Sequence, residues 1–505
     1  MTEPVPPVPP VAPKPHSGEG GPVAPKPRSG EGGPKPTAHW VTVADAAAVA
    51  AALLAAFVLA FGGFVVHAGP QPIRVHGGMR LLFIAAAIAT IRHAAHPANP
   101  LPLRIVRSLR SSADDAPAAI VRSALVSRFA VLLVGYLAVV SVGVAEKQVG
   151  FKVSPDPVVD LPARFDAGWY ANIALDGYYF QGRFDRQQNV AFFPAFPLLE
   201  RVVGYPLGAF APGVPKEVRT ARLLWAGVIV SLIAFAWASV YLFRLARDTI
   251  GADRAPAAVA LLAAYPFALY FSAAYTESLF LLCAVAAVFH FRRAEFGRAA
   301  VWGLLIGLTR PNGSFLSVVL ACFIVERLWR ERRIPQFRNS QIFKSVASAS
   351  APGLGMLIYS AYVKHLTGSW FGWARLHETW GRAYEGLAPV TRAYGWITDE
   401  GLAHVVQGVP FDTMNSLGLI FALLMLWPVI RRLGFAYAVF VLINILPPML
   451  AGGVLSMGRI TSTLFPLFVA LAATVRARTL LPLVTAFAMG QGLATALFFT
   501  WRPLF

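Results

Sequence analysis

Four polar stretches interrupt an otherwise apolar sequence, and each carries a side chain able to do chemistry. The first is RFDAGWYANIALDGYY, Arg164 to Tyr179. Asp166 opens an expected short helix over Ala167 to Leu175, with Gly177 as its stop. Trp169, Tyr170 and Ile173 follow at helical spacing, on a face that would press on a membrane surface. Two readings of Asp166 stand. It is an N-cap, or it is a carboxylate that takes the proton of an attacking hydroxyl while neighbouring rings pack on sugar faces.

The second stretch is AYTESLFLLC, Ala274 to Cys283, with Glu277 at the mouth of an apolar run. A carboxylate there is costly unless paired or facing water, which makes it a functional candidate; the other reading is dipole complementation behind a Thr276 cap. The third and fourth are GLTRPNG, with Arg310, and SMGRITSTLFP, with Arg459. Each arginine suits a phosphate headgroup, and each equally suits a snorkelling position at the interface. Together the set fits an anionic, lipid-linked ligand. No Walker-type loop, zinc spacing or dinucleotide fingerprint is present.

The elements that must position these residues follow from composition. Of 505 residues, 56% are apolar and 14% charged, with mean hydropathy +0.58. So little charge leaves most helices without a polar face, and lipid is their natural solvent. The net charge of +19 does not point to nucleic acid, because the arginines sit between apolar segments. Cys283 and Cys322 lie inside apolar runs and read as core residues, with neither a disulfide framework nor a metal cluster. Residues 1–42 read as a disordered cytoplasmic tail with the near-repeat VAPKPHSGEGGP and VAPKPRSGEGGP, and they contain no secretory h-region.

Residues 43–505 read as an all-α polytopic membrane domain of about 13 transmembrane helices (11–13). The spans are expected at 44–66, 78–92, 128–145, 222–243, 256–274, 277–291, 298–309, 314–327, 345–363, 416–430, 434–451, 461–475 and 480–500. Starting from a cytoplasmic N-terminus, this order puts the arginine groups around Arg104 to Arg122, Arg244 to Arg254, Arg292 to Arg298, Arg327 to Arg338, Arg431 with Arg432, and Arg476 with Arg478 on the cytoplasmic side. The extracytoplasmic side then holds long connections at about 146–221 and 364–415, with an interfacial helix over Asn189 to about Val203.

RFDAGWY, NVAFFPAFPLLERV, AYTESLF, GLTRPNG and SMGR…FPLF occur here in one order, and together they resemble the GPI mannosyltransferase II (PIG-V type) family of the GT-C glycosyltransferases. The resemblance runs from about 164 to 470. It implies a GT-C-like fold with a large first extracytoplasmic catalytic loop, and inverting transfer of a sugar, mannose first, from a polyprenyl-phosphate donor to a lipid or glycan hydroxyl. Asp166 matches the family's catalytic aspartate; the related pattern often has Trp before it, where this chain has Phe165. Glu277 joins it as a second catalytic candidate, orienting the acceptor or holding a divalent cation if one is used; no cofactor is otherwise implied. Arg310, Arg459 and Arg164 are assigned to the donor phosphate, and Trp169, Tyr170, Asn189, Phe193, Tyr275 and Asn312 to substrate. The Arg-rich loops look bacterial and place the chain in a plasma membrane. The competing readings are a lipid-linked sugar transporter or flippase, and a non-catalytic glycolipid-binding subunit.

Overall fold

The computed structural model describes residues 78–95, 116–331, 339–502 and Leu504, together with scattered residues of 40–55 and the strand residues 64–67 and 72–75. Most of the expected tail, and Arg104, Arg107, Arg110, Arg332, Arg333 and Arg338, lie outside the described residues. The chain is built from helices. In order, leaving aside the short helix Gly372–Leu376, they are α1 (Gly78–Ala95), α2 (Ala116–Val142), α3 (Ala167–Asp176), α4 (Ala195–Gly204), α5 (Lys216–Ile250), α6 (Ala255–Ala264), α7 (Glu277–Arg292), α8 (Phe296–Gly307) and α9 (Leu316–Glu331). There follow α10 (Asn339–Thr367), α11 (Ala388–Glu400), α12 (Leu402–Gly408), α13 (Pro410–Arg432), α14 (Phe435–Leu450), α15 (Met457–Ser462), α16 (Phe465–Thr474) and α17 (Ala477–Phe499). The apolar runs read from the sequence thus fold as helices from α1 onward.

The count of thirteen full spans is not reproduced. Six described helices are long and apolar enough to cross a membrane, or seven if the bent pair of α6 and residues 266–272 is one span. The helices α8, α14 and α16 are apolar but shorter. Two boundaries also move. The end of the expected 44–66 span is a strand, β1 (Phe64–His67), paired antiparallel with β2 (Pro72–Val75), where Val65 and Val66 favour extended backbone. The helix expected at 128–145 starts at Ala116, so Arg122 lies on it rather than in the preceding connection.

The bend between α6 and Pro266–Ser272 measures 84°, and Pro266 has no N–H with which to continue the α-helix. A broken helix leaves backbone carbonyls without partners, which hydrocarbon does not tolerate. Here Arg128, fully buried on α2, donates to the carbonyls of Ala263 and Ala268, and its guanidinium lies 4.8 Å from the Phe235 ring centroid. Gln491 on α17 donates to the carbonyls of Ala263 and Tyr265 at 2.9 Å each. Polar side chains from two helices therefore satisfy the break.

Small residues set a second close crossing. A Cβ on Gly307 would fall inside the Pro352 carbonyl of α10, and one on Gly355 inside the Leu304 carbonyl of α8. Such backbone contact, open only to glycine, is a common way for helices to associate in lipid. It fixes the end of α8, and Gly313 folds the following 3-10 turn, Pro311–Phe315, back onto Ile306. Arg310 projects from this rigid corner.

Several of the basic residues expected at the other helix ends are paired there. Arg293 meets Asp248 at 3.1 Å, Arg292 reaches the Tyr437 hydroxyl at 3.0 Å, and Arg254 caps the Val475 carbonyl at 2.7 Å. The helix α7 runs from Glu277 at one end to this basic end at the other.

Candidate functional site

Asp166 occupies the position before α3, but its side chain makes no capping hydrogen bond. Its Oδ2 instead accepts from Arg459 Nη1 at 2.7 Å. Of the two readings open from sequence, the geometry leaves no cap. Arg459 Nε turns to Glu277 Oε1, and Arg310 Nη1 reaches the same oxygen at 2.5 Å. One chain of charge, Asp166–Arg459–Glu277–Arg310, thus joins all four polar stretches.

Each member is held from several sides. The Arg459 guanidinium lies 4.5 Å from the Tyr275 ring centroid and 5.6 Å from that of Tyr270. The Tyr275 hydroxyl accepts the Asp166 N–H at 3.1 Å and donates to the Arg164 carbonyl at 3.3 Å, tying the loop before α3 to the segment before α7. Both segments that meet here carry left-handed backbone at residues other than glycine. Phe165, before Asp166, has φ +45°, and Ser456, before α15, has φ +60°. Each costs about 1–3 kcal/mol, and such strain clusters at functional sites.

The two carboxylates differ in access. Glu277 is fully enclosed, while the Asp166 side chain keeps 19% exposure. Asp166 also lines a cleft of about 590 Å³, with Trp169, Asn172, Asp176, Tyr179, Gln187, Lys216, Trp380 and Trp501 among its walls.

The remaining expected residues separate into groups. Tyr275 belongs to the charged chain. Tyr170 is buried beneath it, edge-on to Phe192, Phe196 and Tyr275. Asn312 donates to Asn444 Oδ1 at 2.8 Å. Asn189 is a buried staple: its Nδ2 donates to Asn172 Oδ1 and the Gly177 carbonyl at 2.9 Å each, and its Oδ1 accepts the Tyr179 N–H at 3.2 Å. Phe193 packs in a separate core against Tyr359 and Trp373. The Arg164 guanidinium is buried and directed elsewhere, donating to the carbonyls of Phe499 (2.7 Å), Asp160 (2.8 Å) and Ala163 (2.6 Å). The structure therefore does not bring it to the other two arginines.

Three residues of the second long connection were missed. Trp380 meets Trp169 edge-on at 5.8 Å. His377 contacts the Ala191 carbonyl through Nε2 at 3.3 Å, and burial, with Arg382 next in weight, pulls its pKa down to about 4, so the ring is neutral. The Arg382 guanidinium makes a long contact to the Leu455 carbonyl, 3.4 Å. Burial first, and then repulsion from Arg310 and Arg459, lowers its pKa to about 10. Arginine-rich short motifs gave these residues no signal, because the segment carrying them has no apolar period.

Two carboxylates are thus set against three guanidiniums, counting Arg382, which favours an anion among them. Beside that positive side, Asp166 offers a carboxylate at a cleft wall. This combination can accept a proton from a hydroxyl and stabilise charge growing on a phosphate. Among the described residues no group of three or more His, Cys, Asp or Glu side chains is placed to hold a metal ion.

Residues 159–366 match the sequence model of the family described as Mannosyltransferase (PIG-V). No curated protein matches the chain. Among solved structures the chain is similar to the Archaeoglobus fulgidus oligosaccharyltransferase, crystallised with Zn and sulfate, at 14% identity and a TM-score of 0.36 over 74% of this chain and 53% of that one. This chain therefore spans about half of that neighbour's length. The family match covers Asp166, Glu277 and Arg310 and stops before Arg459. The resemblance to PIG-V mannosyltransferases read from the motifs is borne out over residues 159–366, and the chain carries six described helices long and apolar enough to cross a membrane.

Proposed function

We propose that the protein transfers mannose from a polyprenyl-phosphate donor to a hydroxyl acceptor, with inversion, on the extracytoplasmic face of a bacterial plasma membrane. The observation that carries this reading is the Asp166–Arg459 pair, which sets a partly exposed carboxylate between a cleft and a cluster of cations. Asp166 Oδ2 is engaged by Arg459, so Oδ1 is the oxygen that accepts the acceptor's hydroxyl proton. The acceptor oxygen forms a bond to the anomeric carbon. The bond from that carbon to the phosphate oxygen breaks, and its electron pair leaves with the polyprenyl phosphate. Arg310 and Arg382 stabilise the charge that this oxygen gains. Glu277, enclosed and shared by two arginines, acts as a positioning residue for their guanidiniums.

Apolar helices beside the site would leave the prenyl chain in lipid. The basic ends of α5 and α7, opposite Glu277, support the assignment of sides by the usual excess of Arg in cytoplasmic loops. The test is transfer of label from polyprenyl-phosphate mannose to a membrane lipid extract by purified wild type and by Asp166→Asn. Transfer lost only in the variant supports the reading; equal transfer by both contradicts it.

A further inference from the structure

Arg459 is carried by α15, a helix of only six residues. Ser456, which precedes α15, is left-handed and gives it no side-chain cap. The Gly458 N–H, in the first turn, therefore needs a partner from outside the helix. Asn415, near the start of α13, supplies one: its Oδ1 accepts that N–H at 2.9 Å. The same amide donates through Nδ2 to the Phe411 carbonyl at 3.0 Å and to the Leu504 carbonyl at 2.7 Å. Asn415 is 1% exposed, and both of its donors are spent. The amide thus has one orientation, because two carbonyls hold the nitrogen and leave the oxygen to α15.

Two further contacts seat α15. Gly418, three residues along α13, lets the two backbones meet, since a Cβ there would come within 3.1 Å of the Gly458 Cα. Thr461, two residues past Arg459, shares a hydrogen bond of 2.9 Å with the Tyr265 hydroxyl. Gly458 and Thr461 therefore bracket Arg459, whose guanidinium bridges Asp166 and Glu277. Rotation of so short a helix would move that guanidinium off one carboxylate or the other.

We propose that Asn415 is the residue that positions Arg459, and through it the Asp166 carboxylate. Asn415 acts through the Gly458 backbone rather than on the reacting atoms. Its effect on rate rests on the transferase reading above; its effect on the placement of Arg459 does not.

The experiment compares Asn415→Leu, which removes the whole amide, with Asn415→Asp, which keeps an oxygen for the Gly458 N–H but loses the amide donors to the two carbonyls. Two readouts are taken on purified full-length protein: a cryo-EM structure of each variant with a bound antibody fragment, and transfer kinetics from polyprenyl-phosphate mannose. In Asn415→Leu the Arg459–Asp166 contact should open beyond hydrogen-bond reach. Its kcat should fall by about 10- to 100-fold, the scale of a small misplacement, while the donor KM changes by less than about threefold. Asn415→Asp should keep the contact and a rate within a few-fold of wild type although its melting temperature falls, a split that a merely structural role would not produce. In an Arg459→Gln background, Asn415→Leu should add no further loss of rate. An intact Arg459–Asp166 contact in Asn415→Leu, a broken one in Asn415→Asp, or additive losses in the double variant would overturn the proposal. The aspartate variant decides alone if the leucine variant does not fold. A displaced Arg459 with undiminished transfer, or with no transfer even by wild type, keeps the positioning role and removes the catalytic reading. An undisplaced Arg459 beside an active wild type removes only the positioning role.

Discussion

Arg459 stands 2.7 Å from Asp166 across 293 positions of sequence, with its other face on Glu277. The contact closes the fold around the site, since it joins the first long connection to the start of α15. It also gives the carboxylate a fixed partner that leaves one oxygen free.

Glu277 has no exposed surface, so its charge depends on the two arginines. Arg459→Met should destabilise the protein by about 3–5 kcal/mol, as expected when one partner of a buried pair is removed. The double variant Arg459→Met/Glu277→Gln should recover part of that loss, because no charge is then buried alone. Thermal unfolding in detergent of both variants checks this.

Among the described residues no carboxylate is bonded to Arg382, which lies on the cationic side of the site. Arg382→Gln should raise the KM for a polyprenyl-phosphate donor by roughly 10- to 100-fold, the worth of one hydrogen bond to a charged group. Arg382→Lys should restore part of it. Steady-state kinetics with donor as the varied substrate provide the measurement.

His377 is held neutral, its pKa lowered from 6.5 to about 4. The unfolded chain takes up this proton first as pH falls, so the stability contribution is complete above 6.5 and is lost between 6.5 and about 4. Melting temperature should therefore decline over that window, and His377→Gln should flatten the decline. An unchanged slope in the variant would remove His377 as its source.

Arg128 satisfies two carbonyls at the break after α6, far from the proposed chemistry in chain position. Arg128→Met removes the donor to the Ala268 carbonyl in a lipid environment, at a cost of about 1–3 kcal/mol, while the Ala263 carbonyl keeps Gln491. The variant should lose melting temperature, and its remaining folded fraction should keep donor affinity.

The apolar runs showed where helices form, since their length and lack of charge leave few other solutions. The same runs hid where helices break. Pro266 alone could not reveal an 84° bend, because the bend depends on Arg128 and Gln491 arriving from α2 and α17. Alternation of apolar spans gathered Asp166, Glu277, Arg310 and Arg459 on one side before any contact was known. It could not say that the arginines grip the carboxylates, as a side-chain pairing over 293 positions has no local signature. Arg164 illustrates the limit from the other direction: two residues from Asp166 in sequence, it turns into the carbonyls of Phe499 and Asp160. Trp380, His377 and Arg382 escaped notice because their segment is polar and without period, and only tertiary packing brings it over the site.

The most direct test of the account is label transfer from polyprenyl-phosphate mannose by Asp166→Asn, with melting temperature and donor binding measured on the same sample. Asparagine keeps the shape and can still accept from Arg459, but it cannot take a proton. The account predicts a folded, donor-binding variant whose transfer falls by about 10²-fold or more, the usual scale of general-base catalysis. Transfer within a few-fold of wild type would contradict it and move the base away from Asp166.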